Sequence, residues 1–185
     1  MGIFQAVWKD KNGRVVQVGF ATAFAISPHL IVTCAHSIFD NNTYRQCTEA
    51  YFISTEEGEK SRQEHIYPVN VKSFAEYTKI KRGERYGLEP LRQDIAVLAL
   101  ERPLESSYYL SLSKRPLMKG DKVEIWGFPS KHYEMVTPRL GTFFKRVDLE
   151  GQYCYSKGDS RGKYTMVHSC LTSEGHSGSP IVRLV

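Results

Sequence analysis

Apolar residues along this chain fall in short alternating or continuous runs, each bounded by Gly, Pro, Asn or Asp, and that pattern predicts strands throughout. From Ile3 the sequence alternates into VWKDKNGRVVQVGF, where Asn12 and Gly13 between two β-prone runs signal a hairpin. Phe20 to Ile26 continues as strand, Ser27 and Pro28 turn the chain with His29 at the surface, and Leu30 to Thr33 returns toward Ala35 and His36. Tyr51 to Ser54 reads as a strand, followed by an exposed charged loop over 55–64 that could reach a substrate. His65 to Phe74 reads as a strand that Pro68 confines to an edge or a bulge. Residues 76–93 show no period, and the apolar run after Asp94 reads as a buried strand.

Glu101 to Ser107 is polar, contains Pro103 and reads as a connection between two units. A boundary near Leu112 divides the chain into 1–112 and 113–185. In the second part, Lys119, Gly120 and Asp121 turn the chain into the strand KVEIWGFP. Residues 139–147 and 163–170 are further candidate strands, with a loop around Lys157 to Gly162. The fold class is all-β. No repeat, heptad or low-complexity tract suggests a solenoid or coiled coil.

Candidate chemistry concentrates in SEGHSGSP near the C-terminus, where small residues surround Ser177. A serine hydroxyl is a weak nucleophile, so it needs a base for its proton and donors for the oxyanion that forms. Gly175 lets its amide converge with that of Ser177, and Gly178 lets the backbone pass close behind. Alone, a hexapeptide of the composition GHSGSP is more often only a surface turn. His36, at the end of the strand in LIVTCAHSIFD, is the candidate base. Asp94, before the apolar run in LRQDIAVLAL, is the candidate that orients it by accepting a hydrogen bond from one ring nitrogen.

TCAH, DIAVLAL and GHSGSP, in that order, resemble the three signature segments of chymotrypsin-like serine proteases. The order His, Asp, Ser separates the chain from α/β-hydrolases, which run Ser, acid, His and carry GxSxG. The resemblance implies two antiparallel β-barrels side by side, a catalytic triad of His36, Asp94 and Ser177, and an oxyanion hole from the amides of Gly175 and Ser177. It implies a protein or peptide substrate and no metal or organic cofactor. SGSP together with Thr172 is most similar to the glutamyl endopeptidase branch, which makes Thr172 a candidate for binding a Glu or small polar side chain at P1. Ala21 stands where many relatives have glycine. Family members continue well beyond the serine, whereas eight residues follow Ser177 here. The second barrel is therefore expected to be incomplete, with its pocket completed by another segment or chain. Three readings follow: an active protease, a binding module of protease fold, and a piece of a longer protein.

Composition narrows this only slightly. The 185 residues are 41% hydrophobic and 24% charged, enough for a real core. No run approaches the ~18 apolar residues of a membrane span. The N-terminus lacks the regions of a secretory signal, favouring the cytoplasm over secretion with a leader absent. Gly2 is followed by Ala6 rather than Ser or Thr at the sixth position, so the myristoylation pattern is incomplete. The net charge of +5 is scattered in short runs such as KIKRGER without a nucleic-acid motif, so no nucleic-acid partner is expected. Cys34, Cys47, Cys154 and Cys170 lack CxxC spacing and are expected as buried free thiols. Cys154, His168 and Cys170 match no zinc spacing.

Overall fold

The computed structural model describes residues 1–54, 65–71, 93–105, 108–129, 135–136, 143–144, 150–158 and 167–183. Strands β1 (Gly2–Lys9) and β2 (Val15–Ser27) form the hairpin expected around Asn12 and Gly13. Asp10 organises that turn, its Oδ1 accepting from the amides of Asn12 and Arg14, while Gly13 takes φ 77°. Then follow β3 (Leu30–Thr33), a 3-10 turn (Ala35–Ser37), β4 (Phe39–Asp40), β5 (Arg45–Gln46), β6 (Glu49–Ser54), β7 (Ile66–Asn70) and β8 (Ala96–Leu100).

Six of these strands close into a barrel in the order β1-β2-β3-β8-β7-β6, with β6 pairing back onto β1. Closure follows from the alternation of side chains. In β8, Ala96, Leu98 and Leu100 point inward and are buried, while Val97 and Ala99 face out. Phe4, Ala6, Trp8, Ile31, Phe52 and Tyr67 fill the interior with them. A closed ladder leaves no edge among these six strands.

Pro68 shows how the barrel differs from the sequence expectation, because β7 lies between β6 and β8 rather than at an edge. The register Val69↔Leu100 sets Pro68 against Glu101, one residue past the end of β8. There the Pro68 carbonyl accepts from the Glu101 amide at 2.9 Å. The donor that proline lacks therefore falls where the β7/β8 ladder ends, and neither an edge nor a bulge is needed.

The second part contains β9 (Lys122–Gly127), β10 (Met135–Val136), β11 (Phe143–Phe144), β12 (Glu150–Gly158), β13 (Val167–His168) and β14 (Ile181–Arg183). Four of them form a sheet in the order β13-β12-β9-β14, and β10 pairs with β11. Among the described residues the molecule is all-β with one closed barrel and a second, partial sheet, in line with the expected fold class. β12 was not foreseen, and Lys157 and Gly158, expected in a loop, belong to it. Among its described side chains, Cys154 and Ser156 are buried while the aromatic Tyr155 faces out, so its large apolar residue gives no inward signal. The expected strands 139–147 and 163–170 reduce to β11 and β13 among the described residues. The expected loop 55–64 and the non-periodic run 76–92 lie outside them. No helix of the described residues is long and apolar enough to cross a membrane.

The cysteine expectation needs one correction. Cys34 and Cys47 are buried free thiols, but Cys154 and Cys170 are disulfide-bonded, with Cα atoms 5.0 Å apart. The register explains it: Ser156 pairs with His168, so the antiparallel pair β12/β13 carries Cys154 directly opposite Cys170. Linear spacing gave no sign of this cross-strand meeting. The bond is of a kind that persists outside reducing compartments. Closing a loop with a separation of 16 residues contributes about 3 kcal/mol. We expect the Cys154→Ser/Cys170→Ser double variant to lose about that much stability in urea denaturation, and reductant to have the same effect on the wild type but none on the variant.

Candidate active site

His36 reaches the site because an extended Cys34 (φ −84°, ψ 146°) follows β3 and the chain then tightens into the 3-10 turn. Ala35 in that turn is fully buried and anchors it to the core. Asp94 arrives through strand pairing. Thr33 is opposite Ala96 in the β3/β8 ladder, so the same register continued by two residues brings Asp94 beside Ala35 and His36.

The Asp94 carboxylate then grips His36 with both oxygens. Oδ1 accepts the His36 backbone amide at 2.8 Å, and Oδ2 lies 2.6 Å from ring Nδ1. A carboxylate only accepts, so Nδ1 carries the proton in this pair. The other nitrogen, Nε2, faces the Ser177 hydroxyl at 3.1 Å. Cys34 Sγ lies 3.5 Å from the same nitrogen. The hydrogen bond that the ring makes to Asp94, and after it the one with Cys34, lift the imidazole from 6.5 to about 10, against the desolvation that lowers it.

Ser177 sits on two successive turns. The His176 amide donates to the Ser173 carbonyl at 3.1 Å, and the Ser179 amide to the His176 carbonyl at 2.9 Å. Each turn has a glycine in its third position, Gly175 at φ 92° and Gly178 at φ 80°, a conformation that side chains with a Cβ resist. At Gly178 a Cβ would also overlap the Thr22 carbonyl and the Thr33 hydroxyl. Among the described residues, the amides of Gly175 and Ser177 donate to no protein acceptor.

Thr22, fully buried in β2, ties this turn to the barrel. Its amide donates to the Ser177 carbonyl at 2.8 Å, and its hydroxyl donates to the Gly175 carbonyl at 2.8 Å. The same hydroxyl accepts the Phe128 amide at 3.0 Å, just after β9. Thr33 donates in turn to the Thr22 carbonyl at 2.8 Å. Sequence reasoning passed over Thr22, because a threonine between two alanines is ordinary strand composition. Cys34 and His176 were also passed over as neighbours of the site. His176 is buried beside Ser173.

The structure thus brings His36, Asp94 and Ser177 into one row and sets Gly175 beside Ser177. Thr172 lies on the exposed stretch between β13 and the serine turn. His168 is half-buried next to the disulfide. Among the described residues, two groups of side chains have metal-ligating atoms close together. In the first, Cys154, His168 and Cys170, both sulfurs are committed to the disulfide. The second is Cys34, His36 and Asp94.

A closed six-stranded barrel beside a second antiparallel sheet, with the site where the two meet, defines a serine protease of the chymotrypsin-like class. The chain belongs to the family of the trypsin-like peptidase domain, whose model matches residues 21–184. Among solved structures, the chain is similar to a thermostable serine protease, AL20, from an extremophilic microorganism, with TM-score 0.62, 16% identity, and 97% of this chain and 77% of that one covered. It is also similar to a Glu endopeptidase in complex with MPD, with TM-score 0.63, 14% identity and coverage of 97% and 73%. A third is the Rv3671c protease from M. tuberculosis in its active form, at TM-score 0.50, 13% identity and coverage of 98% and 64%. Identities this low establish the shared fold. No curated protein matches the chain significantly.

The His36–Asp94 pair makes stability depend on pH with a definite sign. The folded value lies above the unfolded one, so the contribution is fully present below about 6.5 and is lost as pH rises through about 10. In a Ser177→Ala background, we expect thermal melts to show Tm falling across that interval, and falling less once Asp94→Asn is added.

Proposed function

We propose that the chain is a serine endopeptidase whose triad is His36, Asp94 and Ser177, acting through an acyl-enzyme. The observation that carries this reading is the unbroken row from the Asp94 carboxylate through the imidazole to the Ser177 hydroxyl, at 2.6 Å and 3.1 Å. In the first step, which requires the neutral imidazole that gains population as pH rises toward about 10, Ser177 Oγ attacks the peptide carbonyl carbon and its proton passes to His36 Nε2. The carbonyl oxygen becomes an oxyanion, held by the amides of Gly175 and Ser177. As the carbon–nitrogen bond breaks, His36 returns the proton to the leaving amine, leaving the acyl group on Ser177. A water activated by the same imidazole then releases the acid. Asp94 keeps the ring in the required tautomer and stabilises the imidazolium. In this reading the division near Leu112 separates the unit that supplies His36 and Asp94 from the unit that supplies Ser177.

A fluorophosphonate probe tests the assignment directly. Wild-type protein is expected to label at Ser177, Ser177→Ala to remain unlabelled, and Asp94→Asn to turn over a peptide substrate about 10⁴-fold more slowly. Folded wild-type protein that refuses the probe would instead identify a binding module of protease fold.

For specificity we propose a P1 preference for Glu or a small polar side chain, with Thr172 contacting it. Its support is the exposed position of Thr172 on the approach to the serine turn, together with the SGSP segment. A second segment or chain completing that pocket belongs to the same proposal. Thr172→Val is expected to lower kcat/KM for Glu substrates by about 10-fold or more while leaving neutral substrates nearly unchanged. Equal losses on both would remove Thr172 from the pocket.

A further inference from the structure

One thiol in the site has no part in the proposed hydrolysis. Cys34 is buried and free, and its Sγ lies 3.5 Å from His36 Nε2, the nitrogen that also faces Ser177 Oγ at 3.1 Å. Two ligands on one tetrahedral Zn²⁺, a thiolate at about 2.3 Å and an imidazole nitrogen at about 2.0 Å, stand about 3.5 Å apart. The sulfur and nitrogen already have the separation that a shared ion would impose.

The far side of the ring has the complementary feature. Metal-ligating histidines characteristically donate their other N–H to a carboxylate, which orients the ring and makes the free nitrogen a better donor. His36 Nδ1 faces Asp94 Oδ2 at 2.6 Å, with the backbone amide held by Oδ1. Asp94 therefore belongs behind the ligand rather than on the ion. Ser37 Oγ, 2.7 Å from Cys34 Sγ, is placed to donate to a thiolate. The His36 side chain is 41% exposed, so an ion can arrive from solvent.

We propose that Cys34 Sγ and His36 Nε2, with Ser177 Oγ at a third position, form an inhibitory site for a thiophilic divalent cation, Zn²⁺ being the natural occupant. This rests on the nucleophile reading for its consequence, though not for its ligands. Binding forms the metal–sulfur and metal–nitrogen bonds and releases to solvent the thiol proton and, wherever the imidazole is protonated, the proton on Nε2. The ion then occupies the lone pair that must take the serine proton, so the base is blocked without any change of fold. Thiolate with imidazole suits Zn²⁺ over the hard cations Mg²⁺ and Ca²⁺. The other free thiol, Cys47, does not compete, because burial pushes it up to about 12.

The test uses Cd²⁺ as a spectroscopic probe and Zn²⁺ as inhibitor on the whole chain. Cd²⁺ should produce a thiolate charge-transfer band in wild type and in Cys47→Ser, but not in Cys34→Ser or Cys34→Ala. Asp94→Asn should weaken Cd²⁺ binding about 10–100-fold, as for an outer-shell carboxylate. Zn²⁺ should block fluorophosphonate labelling of the wild type, with chelator restoring it, and Mg²⁺ should not. A band that survives Cys34→Ser, no band in wild type, or labelling undiminished at saturating Zn²⁺ would overturn the site. Should folded wild type never label, even without metal, the band and its loss in Cys34→Ser would retain the cation site while the nucleophile reading fails.

Discussion

The arrangement of the site depends on one carboxylate that accepts two hydrogen bonds from the same residue. Asp94 holds the backbone amide of His36 with one oxygen and the ring with the other, so the imidazole loses both its freedom to swing and its choice of tautomer. A single contact to the ring would leave it free to pivot. The second contact, to the main chain, fixes the turn from which the ring projects. That constraint is inherited from the barrel, because the β3/β8 register determines that the two residues meet.

A second constraint joins the halves of the molecule. Thr22 receives the Phe128 amide from the second sheet and grips the carbonyls of Gly175 and Ser177. It is buried, so each of these bonds replaces one that water would otherwise make, and losing one leaves an unpaired polar group. The serine turn is thereby referenced to the same barrel that carries the imidazole. Gly178 is the complement of this clamp, since only a residue without Cβ allows the turn to approach Thr22 and Thr33. Cys34, between the end of β3 and the imidazole, adds a soft donor to an environment otherwise built from oxygen and nitrogen.

Much of this was legible in the chain. Asn12 and Gly13 announced a hairpin because their backbone freedom suits a tight turn, and the runs ending at His36 and beginning after Asp94 announced β3 and β8. Ser177 stood out because glycines on either side suit a turn that directs amides inward. Other features were hidden for physical reasons. β12 turns its aromatic Tyr155 outward and Cys154 and Ser156 inward, so its large apolar residue does not mark the buried face. Pro68 argued for an edge, yet only the length of the neighbouring strand decides whether its missing donor matters.

What the sequence determined by itself was the kind of structure and the chemical groups available to a site: local backbone preference and alternation specify strands, and side-chain chemistry supplies a hydroxyl, an imidazole and a carboxylate. Tertiary structure alone decided which groups meet. The Cys154–Cys170 bond, the Thr22 clamp and the approach of Cys34 to His36 Nε2 depend on the packing of elements against one another. Register and packing sum over contacts between distant residues. Such partners leave no mark on the local pattern, because each is compatible with many neighbours until the chain closes around it.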